Sequence, residues 1–185
     1  MLATRTAVLL LLLALGGAAG AEGQIDTDAV RSETRQQLEA LLTQYGPAQE
    51  MHFQRSTVQP FNLVGSVTSG LTNSSSLEII LHVTTRQTIV FRIYPHYAGG
   101  YINIDKVRNG TALMRKLLQF TDRNFFFWGA DDTYDVFTGY SFTLESGFPT
   151  EALKVVIGSI SNLDGFVGDL KPFIDGTAAP SHQGR

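Results

Sequence analysis

The 185-residue sequence has no cysteine. That excludes disulfide bridges, a thiol nucleophile, cysteine-ligated zinc and a lipidated cysteine, so stability has to come from packing. Positive charge is also scarce. Fourteen Lys and Arg face 17 Asp and Glu, a net charge of −3, and no basic cluster offers itself to a phosphate backbone, which argues against a nucleic-acid partner. Beyond the first 21 residues no apolar run approaches the roughly 20 residues that cross a bilayer, so no membrane span is expected in the mature chain. The catalytic signatures are missing as well: no G-x-S-x-G elbow, no phosphate loop completed by Lys, and no paired His on a helical spacing.

The most informative segment present is the first one. Arg5 supplies a positive start, Ala7 to Leu15 is unbroken apolar sequence with leucine at every position from 9 to 13, and Ala19-Gly20-Ala21 is a small-residue cleavage pattern. Residues 1–21 are therefore expected to be a secretory signal peptide, residues 22–175 one folded domain, and residues 176–185 a disordered tail. The expected location is exported, periplasmic or secreted. A length of this order suits one domain that buries about 70% of its unfolded surface.

From Asp26 to Tyr45, positions 30, 34, 38, 41, 42 and 45 share one helical face, and Gly46-Pro47 ends the helix. An extended, turn-rich stretch follows, in which Phe61 to Val67 alternates as one strand. Leu77, Ile79, Leu81 and Val83 alternate with Glu78, Ile80 and His82, and the pattern resumes at Ile89, Phe91 and Ile93, which predicts a hairpin with one strongly apolar face. Tyr101 to Ile104 reads as a short extended piece. Asn109 is the expected N-cap of a second helix that buries Leu113, Leu117 and Phe120. A second hairpin pairs Phe125–Trp128 with Val136–Leu144 around the turn at 129–135. The longest stripe runs from Leu153 to Leu170, entered through Pro149-Thr150 and closed by Pro172. Its glycines at 158, 165 and 168 cost about 1 kcal/mol each against Ala unless they permit close packing. The expected fold class is α+β, a single antiparallel sheet with helices in the order α-β-β-β-α-β-β-α.

The segment Leu117-Leu118-Gln119-Phe120-Thr121-Asp122-Arg123-Asn124-Phe125, then a strand, an acidic turn at Asp131-Asp132, a second strand, Gly147-Phe148-Pro149-Thr150-Glu151-Ala152-Leu153 and an amphipathic helix, resembles the YbjN-like family, named for a sensory transduction regulator role. The resemblance covers residues 26–174. It implies the fold of type III secretion chaperones and a small bacterial binding or chaperone-like domain, with no catalytic residues to carry over. The leader, the long stretch between Gly46 and Ser76 and the inserted Gly99-Gly100 depart from the pattern. Asn73-Ser74-Ser75 and Asn109-Gly110-Thr111 fit the glycosylation sequon, but a bacterial origin implies no glycan.

Chemistry has few candidates. His82 and His96 are the pair that separate strands would have to bring together for a metal, and a polar sheet face explains them more simply. Asp131, Asp132 and Asp135 have the spacing of a carboxylate cluster, yet a turn in which Asp caps its own backbone needs the same residues. No catalytic residue, metal or cofactor is expected. The surplus aromatics are more suggestive. Phe125 to Trp128 are consecutive, so a strand must send alternate rings to opposite faces. Phe126, Trp128, Tyr134, Phe137 and Tyr140 are the expected partner-binding residues, an outer apolar patch for an unidentified protein or a second copy of the chain as a homodimer. The expected function is thus a non-enzymatic exocytoplasmic binding domain. The alternative is a carrier of a small apolar ligand, held in a groove opened by glycines 158, 165 and 168.

Overall fold

The computed structural model describes residues 27–177. The expected leader at 1–21 lies outside them, as do residues 22–26 and most of the expected tail, 178–185. Within them the chain is an antiparallel sheet with helices on one side, the α+β class that the alternation predicts.

Helix α1 (Thr27–Tyr45) buries Thr34, Leu38, Leu41 and Leu42, the face set by the 3.6-residue spacing. A single 3-10 turn, Gly46–Gln49, follows and closes on Glu50 in the left-handed region. Seven strands come next in two groups: β1 (His52–Arg55), β2 (Asn62–Val67), β3 (Ser76–Val83), β4 (Thr88–Tyr97) and β5 (Gly100–Tyr101) before helix α2 (Gly110–Arg123), then β6 (Phe127–Ala130) and β7 (Val136–Thr143) after it. Asn109 caps α2 by accepting the N–H of Ala112 at 3.2 Å, as expected of that residue. The sheet order is β1-β2-β3-β4-β7-β6, with β5 folded back on β4.

Several features differ from the sequence reading: the first strand of the second hairpin is Phe127–Ala130 rather than Phe125–Trp128, and Tyr101 ends a two-residue strand paired with β4 rather than opening an extended piece. Residues 52–55 form a strand where only an extended stretch was expected, because four residues with one partly buried side chain carry no measurable alternation. The long C-terminal stripe is two helices, α3 (Thr150–Ser159) and α4 (Leu163–Ile174), separated by a 3-10 turn at Ile160–Asn162. Periodicity could not reveal the break, since the turn keeps Ile160 and Leu163 buried on the same side as Ile157 and Val167. Pro172 lies inside the end of α4 rather than beyond it.

Cross-strand register divides the sheet into two faces. Leu63 pairs with Leu81, Leu81 with Phe91, and Phe91 with Tyr140, so odd-numbered residues of β2 to β4 and even-numbered residues of β6 and β7 share one face. All four helices pack on it. Their buried residues, Leu38, Leu117, Ile157 and Leu170 among them, form a single cluster with Ile79, Ile93, Trp128 and Phe142 of the strands. The opposite face carries no helix among the described residues.

One long-range clasp ties the sheet to the C-terminal helices. Asp164, 8% exposed in the first turn of α4, accepts the backbone N–H groups of Thr72, Asn73 and Ser74 at 2.6–3.0 Å, and Lys171 donates to the Asn73 side chain at 3.0 Å. Burial works against ionising Asp164, but those backbone donors outweigh it and hold its pKa below the usual carboxylate range. The Asn73 amide of the sequon is committed to this clasp, and its side chain sits 3.0 Å from where a Cβ on Gly168 would lie.

Candidate functional site

The helix-free face reads as a set of rows running across the strands. One row is His52, Ser66, Glu78, Tyr94; the next is Gln54, Val64, Ile80, Arg92 and Gly139; another is Asn62, His82, Val90 and Ser141. His96 of β4 faces Tyr101 of β5 at the end of the sheet. Three of the chain's four histidines, at 52, 82 and 96, therefore share this face, which alternation in the sequence places there once β1 is recognised.

Phe137 is the centre of an aromatic cluster on it. Tyr94 lies 5.8 Å away, Phe127 meets Phe137 edge-on at 5.9 Å, and the Arg92 guanidinium stands 4.7 Å above the Phe137 ring. The cluster continues through Tyr94 to Tyr101 at 5.7 Å and from Tyr101 to His96 at 4.4 Å. Edge-to-face pairs and a cation over a ring each add about 0.5–1.5 kcal/mol beyond burial, so the face is ordered without a helix to cover it. Phe127 and Tyr101 remain exposed, and so does Arg92.

Its polar groups are held in place. The Tyr101 hydroxyl donates to Glu78 Oε2 at 2.6 Å, and that hydrogen bond, with burial and the carboxylate charge, pushes the phenol up to about 12. His96 Nε2 is 3.3 Å from the same oxygen, an ion-pair distance, but it is out of line for a hydrogen bond. Burial, reinforced by Arg31 and Arg92, lowers the pKa of His82, whose Nδ1 is 2.5 Å from Asn62 Oδ1. Two open hollows mark the face. One of about 430 Å³ is lined by His52, Gln54, Ser66, Glu78 and His96. The other, about 490 Å³, has an Ile80 and Val90 floor beside Asn62, His82 and Arg92.

The expected partner-binding residues do not form one outward patch. Phe126 and Trp128 point to the helix side and are buried, at 3% and 5% exposure, with Trp128 packed on Phe120 of α2 and Phe166 of α4. Tyr140 shares that side and is half-buried against Phe142. Phe137 is on the helix-free face but buried beneath Arg92, and Tyr134 alone projects from the turn, with a left-handed φ of 65°. Phe125 and Phe127 are the exposed members of the run, but only Phe127 and Trp128 alternate across the strand: Phe125 precedes β6 and lies 4.4 Å from Phe126 and 5.8 Å from Tyr140, on the helix side. Helix α2 returns directly to the sheet beside β6 and takes the even-numbered rings for its own core.

The other candidates resolve structurally. Asp131 accepts the N–H groups of Thr133 and Asp135, both at 3.0 Å, and the Thr133 hydroxyl. It caps its own turn, and these bonds overcome the opposing effect of burial to lower its pKa. Asp135 accepts from the Asn103 side chain. His82 and His96 lie on one face but do not converge, and no group of three metal-ligating side chains occurs among the described residues. Gly158 and Gly168 pack against Tyr45 and Asn73, while a side chain at Gly165 would meet open space, so none of the three lines either hollow. Residues that the sequence reading missed are Arg92, Glu78 and Thr121, whose hydroxyl accepts the Trp128 N–H at 2.8 Å. Arg92 and Glu78 had a signal, each a lone ionised side chain inside an otherwise apolar strand.

No family model matches the chain, and neither does any curated protein. Among solved structures, a chain of the "Crystal Structure of the ExsC-ExsE Complex" is similar to it over 80% of this chain and 98% of that one, with 15% identity and a TM-score of 0.44. Similarity of that degree identifies neither a partner nor an activity.

Proposed function

We propose that this chain is a non-enzymatic, exported protein-binding domain of chaperone-like character, consistent with the YbjN-like pattern in its sequence, and that it docks a polypeptide on the helix-free side of its sheet. The observation that carries the reading is one-sided packing: every helix among the described residues lies on one face, and the other presents Arg92, Phe127 and Tyr101 around a buried Phe137. An ordered aromatic cluster with an exposed cation is the composition that protein interfaces favour. Two of the buried or half-buried carboxylates are taken up by structure, Asp131 by its turn and Asp164 by the loop at 72–74, which supports a binding role over turnover.

The test is capture of exocytoplasmic proteins on the immobilised full chain, compared with Arg92→Glu and Phe127→Ser, with circular dichroism to show that the variants fold. Retention of one protein by the native chain and its loss from both variants is the expected result. Equal retention by all three moves the binding surface elsewhere, and no retained protein removes the reading.

A further inference from the structure

Arg92 is the only lysine or arginine on the four inner strands β2, β3, β4 and β7. Elsewhere the chain pairs many of its cations with carboxylates: Arg31 with Asp28, Arg35 and Arg55 with Glu39, Lys116 with Asp169, and Lys154 with Glu151. No described carboxylate forms such a pair with Arg92. Two are close by in the sheet, and both are engaged. Glu78, diagonal to Arg92 across the register of β3 and β4, is turned to Tyr101 and His96. Asp131 meets the Tyr94 hydroxyl, which Arg92 also contacts, and it is held by the N–H groups of its own turn. The guanidinium is left exposed above the Phe137 ring.

The surface beside Arg92 is a square of four side chains. Ile80 lies directly opposite Arg92 and His82 opposite Val90, so the nitrogen-bearing pair takes one diagonal and the aliphatic pair the other, about 7–8 Å from corner to corner. These four belong to the 490 Å³ hollow, and no residue lining it is acidic. The other hollow of the face has the opposite character, with Glu78 in its wall. After burial, the charges of Arg31 and Arg92 lower the pKa of His82, so the potential in the hollow is positive. A guanidinium fork matches a carboxylate in two parallel hydrogen bonds. One cation beside a neutral histidine suits a single negative charge, and the aliphatic diagonal suits an apolar group next to it. The hollow is open, so a free acid lying in it would keep much of its surface in water, whereas small-molecule pockets enclose most of theirs. A polypeptide lying across the face covers what the hollow does not.

We propose that this hollow anchors an acidic residue of the partner polypeptide, with its carboxylate on the Arg92 guanidinium and an apolar neighbour over Ile80 and Val90. This rests on the protein-binding reading and names the chemistry the partner must carry. Arg92 and Val90 are two positions apart on β4, the spacing of same-side residues in an extended segment. The acid and its apolar neighbour therefore fall within two positions of each other in the partner.

A phage-displayed library of random dodecapeptides selected on the immobilised full chain tests this. The selected peptides are expected to carry Asp or Glu within two positions of a large apolar residue. They are then titrated against the native chain and Arg92→Gln, with circular dichroism to show that the variant folds. Binding to Arg92→Gln is expected to be about tenfold weaker, the size of one charge-assisted hydrogen bond. Replacing the acidic residue of a peptide by its amide is expected to cost the same factor on the native chain and nothing further on Arg92→Gln, a coupling that a merely structural role of Arg92 would not produce. The native-chain half of that comparison needs no protein variant. Peptides without an acid, equal binding by the native chain and Arg92→Gln, or independent losses from the two changes overturn the proposal and leave the protein-binding reading intact. Displacement of the peptides by millimolar hexanoate also overturns it, by assigning the hollow to a free acid. A library that yields no binder removes the protein-binding reading and the anchor with it.

Discussion

The two edges of the sheet share a device and differ in how they end. At each, an aromatic ring of the edge strand lies over a glycine in the neighbouring strand: Phe53 over Gly65, and Phe127 over Gly139, with ring atoms 2.5 and 2.7 Å from where a Cβ would stand. Such a ring covers backbone that a glycine leaves bare and pins the register. Beyond that the edges diverge. Strand β6 carries Trp128 into the core and has the outward groups of Trp128 met by the Thr121 hydroxyl. Strand β1 buries no residue fully and keeps its outward groups open to solvent. Exposed edges invite pairing with other chains, and proteins ordinarily blunt them. Strand β1, four residues long with His52, Gln54 and Arg55 exposed, is blunted by shortness and charge, whereas β6 is blunted by a neighbouring helix.

Glycine replacement separates the edges most strongly. A Cβ on Gly139 would stand 2.5 Å from the Phe91 carbonyl as well as against the Phe127 ring, and backbone in the middle of a sheet cannot retreat. Gly139→Ala is expected to cost about 3 kcal/mol or more. Gly65→Ala meets chiefly the Phe53 ring, which can swing away at an open edge, and its expected cost is about half as large. Urea unfolding of both variants checks the order, and equal losses would mean that the β1 edge is as rigid as the β6 edge. Asp164 does for the loop at 72–74 what Thr121 does for β6, and more completely, because its carboxylate accepts three backbone donors in a buried site. Asp164→Ala should cost about 2–3 kcal/mol by leaving those donors unpaired. Thr121→Val removes one hydroxyl from an exposed position that water can refill, so about 1 kcal/mol is expected. The emission of Trp128, the only tryptophan, reports that change where it occurs. If Thr121→Val leaves both the emission and the exchange of the Trp128 amide unaltered, the closed edge is not closed by Thr121.

Much of this arrangement was legible before the structure, and the illegible parts have a common cause. Alternation in residues 77–93 placed Leu81 and Phe91 on one face and His82 and Arg92 on the other, and the structure keeps that division. Asn109 announced its helix by its capping chemistry. In Phe125 to Trp128, however, the strand begins only at Phe127, so Phe125 and Phe126 stay together on the helix side, and which of Phe127 and Trp128 faces the core is decided by where α2 returns. The same holds for β1. His52 to Arg55 is a strand because β2 offers it a ladder, not because of any pattern within it. Asp164 reaches a loop some ninety positions earlier in the chain, a pairing that no local signal records. Covered and open edges are likewise facts about neighbouring elements, and Thr121 looks like any other polar residue of a helix until Trp128 lies beside it.

The smallest effect distinguishes the edges by charge. The open edge is steadied by an ion pair, Arg55 donating to both oxygens of Glu39 at 2.5 and 2.7 Å. Those hydrogen bonds, against the opposing effect of burial and with help from the charges of Arg55 and Arg35, lower the pKa of Glu39. A carboxyl held low in the folded chain contributes stability at pH values above its unfolded pKa and loses it as the pH falls through the folded value. The contribution of Glu39 should therefore be complete at neutral pH and fade below about pH 4. The Thr121 hydroxyl at the other edge does not titrate. Exchange of the inward amides of Gln54 and Val64, corrected for intrinsic rates, should accelerate severalfold at most relative to those of Phe127 and Gly139 as the pH is taken from about 6 to about 3. Glu39→Gln should exchange at the fast rate at every pH and abolish the difference. If the β1 amides track the β6 amides throughout, the ion pair does not hold β1 in place, and the open edge owes its order to Phe53 and Gly65 alone.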